Sequence, residues 1–230
     1  MVNAVAVNSR YRAFSLIETL ISLSLAIVLL FSVASFYSDS YYNQYKQREL
    51  LNLQRNAHQL LDYFQQHIQH IGFQGKFRQE SNYSLFRVEG KFYALNFPQC
   101  LMFFYDLNGD GCIGNRTRTQ PCHNAQLNRT SHVSKELWGI KLENKAIAIY
   151  EDSAEQNCYK TECEKVLTSC HSGVWRRFSE MADYTVEDLH FEWIAFERIL
   201  KISLTLASET RPDIQYSASA YSYLFNGRDW

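Results

Sequence analysis

From Phe14 to Phe36 the chain is apolar, broken only by one charge, Glu18, and by scattered small polar residues such as Ser22, Ser24, Ser32 and Ser35. The run holds 23 residues, about 35 Å as a helix, which is enough to span a bilayer. Beyond it the apolar positions keep a helical beat: Leu50, Leu53, Ala57, Leu60, Phe64, Ile68 and Ile71 follow one another at intervals of three or four, with Gln, Arg, Asn, His and Asp between them. Gly72 suits a helix stop, and no proline interrupts positions 14 to 71. The pattern predicts one helix of 58 residues, roughly 87 Å long. Its first half is apolar all round. Its second half is amphipathic and would pack on a folded head. A coiled coil is the other reading of the stripe, but it covers only about three heptads, the minimum for that assignment, and Tyr41, Tyr42 and Tyr45 blur its start.

After Phe73 the period changes toward two. Cys100–Tyr105 is a short apolar run, and Trp138, Ile140 and Leu142 alternate with Gly139 and Lys141. Glu143-Asn144 then turns the chain into Ala146–Tyr150, which reads as a hairpin. Leu189, Phe191 and Trp193, then Ile202, Leu204 and Leu206, then Ile214, Tyr216, Ala218 and Ala220 each alternate with polar or small residues. Such alternation predicts antiparallel strands with one covered face, and the long helix is the simplest cover. The expected fold class is therefore α+β, a helical spine with an antiparallel sheet on its outer half. The expected organisation is a leader at 1–13, a transmembrane segment at 14–37, an amphipathic continuation at 38–72 and a β-rich head at 73–230. Polar, cysteine-containing stretches at 112–132 and 153–173 read as two long loops, which in compact domains are often functional surfaces.

Composition adds a few limits. The chain has 230 residues with a net charge of −1, so no basic footprint marks nucleic acid as its main partner. Three Pro and nine Gly leave little room for long low-complexity segments. The six cysteines, Cys100, Cys112, Cys122, Cys158, Cys163 and Cys170, all lie on one side of the apolar run. An even count so placed predicts disulfides in an oxidising compartment, with 15 possible pairings. Cys122-His123 and Cys170-His171 raise zinc as the alternative, but no CxxC or HxxxH spacing accompanies them.

Several other motifs carry possible chemistry. Asp106-Leu-Asn108-Gly-Asp110-Gly111 matches the first half of a calcium loop, yet position twelve is Thr117 where a glutamate is needed. Those three side chains are the candidate calcium ligands, and a polar turn is their structural alternative. Gly109–Gly114 fits a glycine-rich phosphate loop by spacing, but an Asp in the turn would repel phosphate and no apolar helix follows. No nucleophile elbow, zinc-protease helix or paired-carboxylate motif occurs, so no enzyme and no small-molecule substrate are expected. Arg116, Arg118 and Arg129 form a small basic patch, read as a solvated face before a DNA or partner contact. His58, His67 and His70 read as a solvated or half-buried helix face, and Asn82, Asn115 and Asn128, although in N-x-S/T triplets, are given no role.

Arg10 and Arg12 stand before the apolar run, so the positive-inside rule puts the leader in the cytoplasm and the head outside. A cleaved secretory signal has an apolar core of roughly 7–15 residues, shorter than this one. A plain signal anchor leaves Glu18 unexplained, since a carboxylate near the bilayer centre costs roughly 2–4 kcal/mol or more. The segment Arg12-Ala13-Phe14-Ser15-Leu16-Ile17-Glu18 resembles the prepilin signal of type IV pilins and type II secretion pseudopilins. The resemblance implies cleavage between Ala13 and Phe14 by prepilin peptidase, N-methylation of Phe14, and retention of the apolar segment. It also implies that Glu18 neutralises the N-terminal amine of an adjacent subunit. The family usually has Gly before the cut, and Ala13 is the next smallest side chain. The Cys100–Gly111 segment and the closing strands are similar to those of the W-type minor pilins, or prepilin peptidase-dependent protein B. What this implies is a non-catalytic subunit of the bacterial inner membrane, its head in the periplasm, that primes or caps pilus assembly through helix contacts with other minor and major pilins. Two alternatives stay open: a J-type pseudopilin of type II secretion, and a signal-anchored periplasmic binding or adhesive domain.

Overall fold

The structure is a computed structural model that describes residues 15–76, 80–117, 120–151, 158–168, 170–178, 183–194 and 198–226. Its first element is α1, Leu16–Ile68, an unbroken helix of 53 residues. By compactness the chain divides into two units, Met1–Arg48 and Glu49–Trp230, and α1 contributes to both.

The start of α1 has a chemical cause. Glu18 N–H donates to Ser15 Oγ at 3.3 Å, the side-chain half of an S-x-x-E capping pattern. At the other end the helix stops three residues before Ile71. Gly72, at φ +71°, then turns the chain and donates its N–H to Phe104 O. A side chain at Gly72 would be strained there and would meet Asn226 O at 2.5 Å and the Phe92 ring at 2.9 Å.

The second unit is built on the outer half of α1. Leu53, Ala57, Leu60, Leu61, Phe64 and Ile68 are its buried face. Leu50, expected on that stripe, is 38% exposed, so burial begins one turn later. The strands are β1 (Tyr93–Phe97), β2 (Cys100–Phe104), β3 (His123–Asn124), β4 (Leu127–Asn128), β5 (Leu137–Glu143), β6 (Ala146–Tyr150), β7 (Trp175–Arg177), β8 (Tyr184–Ile194), β9 (Ile199–Ser208) and β10 (Gln215–Tyr223). They form a five-stranded sheet in the order β1-β2-β5-β6-β7, a three-stranded sheet β10-β9-β8, and the small hairpin β3-β4. All pairs are antiparallel. The fold is α+β as expected, with the strands divided among three sheets where one was anticipated.

Local chemistry explains the pairings. Every residue of β2 is buried, matching its uninterrupted apolar run. β5 and β6 join through Asn144 and Lys145, both at positive φ, as a two-residue hairpin of the primed kind requires. β8 carries a bulge between Val186 and Asp188, and Val186 and Phe191 donate N–H groups to Lys145 O and Pro98 O. These bonds tie the three-stranded sheet to loops of the larger one. Phe64, Phe86, Phe103, Phe104, Phe191 and Leu61 lie in one core cluster.

The two stretches expected as long loops contain more structure than their polarity indicated. The first holds the β3-β4 hairpin, and the second holds α2, Lys160–Val166. At the start of α2 Glu162 accepts the Tyr159 backbone N–H at 3.0 Å, the glutamate half of a capping box; tyrosine, with no short side-chain acceptor to supply the other half, gave no helix-start signal in the sequence.

Candidate functional site

The inner half of α1 is the first candidate, and it belongs to the unit 1–48. It is long and apolar enough to cross a membrane, and none of its most apolar stretch is buried. Leu16 is 80% exposed and Phe36 76%. Glu18 is the acidic residue of the first helical turn. A carboxylate there is favoured by the helix dipole and stays available to a cation outside the chain. Three hydroxyls of this half, those of Thr19, Ser24 and Ser32, donate to carbonyls three or four residues back, at 2.8–2.9 Å. Ala13 and Phe14, the expected processing site, lie outside the described residues, as does Arg118 of the basic patch.

The six cysteines form three disulfides: Cys100–Cys170, Cys112–Cys122 and Cys158–Cys163. None is left free. Cys100–Cys170 clamps the start of β2 to the segment before β7. The other two staple the β3-β4 and α2 regions. The zinc alternative is thereby set aside, because the thiols it needs are spent.

The candidate calcium residues sit in a turn that their own side chains organise. Asp106 Oδ1 accepts N–H from Gly109, and its Oδ2 accepts from Gly75 and Gly111, at 2.6–2.9 Å. Asn108 Oδ1 accepts from Asp110, and Asp110 accepts from Cys112 and Arg116. A fourth side chain, missed in the sequence, completes the set. Glu136 accepts N–H bonds from Leu107, Asn108 and Gly114. It arrives from just before β5, so no local spacing marked it. Burial pushes its carboxyl up to about 7; the Gly114 and Asn108 N–H bonds pull it down, and Asp106 and Asp110 push it up. Among the described residues no group of three or more His, Cys, Asp or Glu side chains is arranged to hold a metal ion. Beside this turn, Asn82 and Asn128 are fully buried. Asn82 donates to Ile113 O and Asn128 Oδ1 and accepts from Ile113 N–H. Both amides are thus part of a small polar core, hydrogen-bonded as buried amides require. Arg116 pairs with Glu80, so one member of the basic patch is neutralised within the head.

A pocket of about 290 Å³ lies between the end of α1 and this turn, lined by Gln66, His67, His70, Phe73, Tyr105, Asp106 and Leu107. His67 stacks on Trp138 at 3.8 Å and shares a 2.9 Å hydrogen bond with the Tyr105 hydroxyl. Burial raises the Tyr105 phenol, keeping that hydroxyl protonated. Burial, assisted by His70, lowers His67 to about 4. Its neutral form therefore stabilises the fold above pH ~6.5, the ordinary histidine value, and that contribution is lost as pH falls from 6.5 towards 4. Glu136, raised towards 7, slopes the opposite way across the same range, so the difference between variants is the cleaner reading. Between pH 7 and 4, the stability of His67→Phe should rise relative to the parent by about 1–3 kcal/mol, the full linkage value being discounted for partial exposure. Urea unfolding at both pH values measures it.

The second unit also carries the family signal. The model of the family described as prepilin peptidase-dependent protein B matches residues 46–224. The chain belongs to the prepilin peptidase-dependent protein B family. The match starts after the apolar run, so it is independent of the Phe14–Glu18 motif. Membership marks the chain as related to pilins, with a link to prepilin peptidase and pilin assembly. An uncharacterized protein of Haemophilus influenzae is 29% identical over 192 residues, which cover 76% of this chain and 80% of that one. No solved structure matches the chain.

Proposed function

We propose that this member of the prepilin peptidase-dependent protein B family is a minor pilin that primes or caps type IV pilus assembly. Prepilin peptidase cuts between Ala13 and Phe14, the new amine is methylated, and the apolar helix stays in the bacterial inner membrane with the head in the periplasm. Glu18 then pairs with the N-terminal amine of a neighbouring subunit, and the exposed half of α1 packs among other minor and major pilin helices. The chain works by binding alone, with no catalytic step.

The observation that carries this reading is the inner half of α1: unbroken, apolar and wholly exposed, with one carboxylate in its first turn. A buried charge pair forms well only when both partners and their hydrogen bonds are present, so such a carboxylate favours docking over idle anchoring. The test is removal of the chain from its host. Surface pili should fall sharply and return with the gene, while enzymes exported by type II secretion stay at parent levels. Loss of secreted enzymes with normal pili would replace this reading with the J-type pseudopilin.

A further inference from the structure

Four tyrosines, Tyr37, Tyr41, Tyr42 and Tyr45, follow directly on the apolar run. Their exposures are 71, 65, 49 and 39%. At 100° per residue they cover an arc of about 140° on α1, too broad for the narrow seam of a coiled coil. Asp39 and Lys46 lie at the same level of the helix but outside that arc, at about 200° and about 180° from Tyr37, and charges at this level do not suit hydrocarbon. The apolar run that precedes them, Leu16 to Phe36, is about 31 Å long as a helix, against a hydrocarbon core of about 30 Å. The rings therefore begin where the hydrocarbon ends. They extend about 12 Å along the axis, enough to cross the headgroup zone of about 5–8 Å on one side. Tyrosine fits that zone because it offers an apolar ring and one polar tip.

We infer that Tyr37, Tyr41, Tyr42 and Tyr45 form an interfacial belt that docks on the headgroup region of the outer face of the bilayer and sets the resting depth of the anchor. Leaving the membrane then requires drawing four rings out of the interface. The inference rests on the reading of α1 as a membrane anchor, and its test separates the two.

All six native cysteines are in disulfides, so single cysteines introduced at Ile27 or Asn43 can carry a spin label. The full chain is reconstituted in vesicles of phosphatidylethanolamine and phosphatidylglycerol, and label accessibility to oxygen and to a nickel chelate is measured. The Ile27→Cys label should be open to oxygen and closed to the chelate. The Asn43→Cys label should be partly shielded from the chelate. Changing the four tyrosines to serine should raise its chelate accessibility severalfold, and changing them to tryptophan should restore the shielding. Equal accessibility with tyrosine and with serine, while the Ile27 label stays protected, would overturn the belt and leave the anchor standing. An Ile27 label open to the chelate would overturn the anchor, and the belt with it.

Discussion

Removing the Cys100–Cys170 disulfide by a double change to alanine should lower the stability of the head by about 4 kcal/mol. The bond joins residues 70 apart in sequence, and the closed loop contains β2 to β6 and α2. Its loss frees that loop in the unfolded chain, where the entropic gain grows with the logarithm of loop length. Both sulfurs are buried, and Lys141 sits beside the bridge, its Nζ 3.4 Å from Cys170 O and 4.3 Å from the centre of the Trp175 ring. Releasing Cys170 thus loosens β7 as well. The same change at Cys158–Cys163, only five residues apart, should cost about 2 kcal/mol by the same scaling. Denaturant unfolding of the two variants beside the parent measures both. A small domain holds only about 5–15 kcal/mol in all, so the first variant should also accumulate poorly in cells. Equal losses for the two bridges would show that loop entropy is not what they contribute.

Replacing Glu18 by leucine should leave the head folded and the chain in the membrane, yet remove it from assembled filaments. A buried amine stripped of its partner costs about 3–5 kcal/mol, which is roughly a hundredfold to several thousandfold in subunit docking. Glutamine is the informative substitution. It satisfies the third helical position next to Ser15 as well as glutamate does, so it keeps the helix start intact and removes only the charge. Glu18→Gln should fail like leucine, and Glu18→Asp should recover part of the function. Immunoblots of sheared pili for the chain, beside its amount in the membrane, provide the readout. A fully active glutamine variant would reduce Glu18 to a helix cap.

The parts of the fold that were legible in the sequence are those where one local rule acts alone. The helical beat from Leu53 to Ile68 survives because one face meets the core and the other meets water. β2, β5 and β6 follow from an apolar run and an alternating pair joined by Asn144. The division of the strands among three sheets was not legible, because it depends on which edges meet. Glu136 shows why the site was harder to read than the fold. The D-x-N-x-D-G spacing identified a tight, oxygen-rich turn, but the carboxylate that completes it comes from some thirty positions away and meets it only through tertiary structure. His67 was read as a helix-face residue. Its stacking on Trp138 and bond to Tyr105 join three segments that no spacing connects. The disulfide state of the cysteines was readable from their number and placement, and their pairing was not.

The central claim is that this chain is processed as a prepilin before it works. The most direct test is the intact mass and N-terminal sequence of the chain extracted from membranes of cells with and without prepilin peptidase. A mature chain beginning at methylated Phe14, present only when the peptidase is present, is the predicted result. An N-terminus left at Met1 in both strains, or a cut beyond the apolar run, would contradict the account.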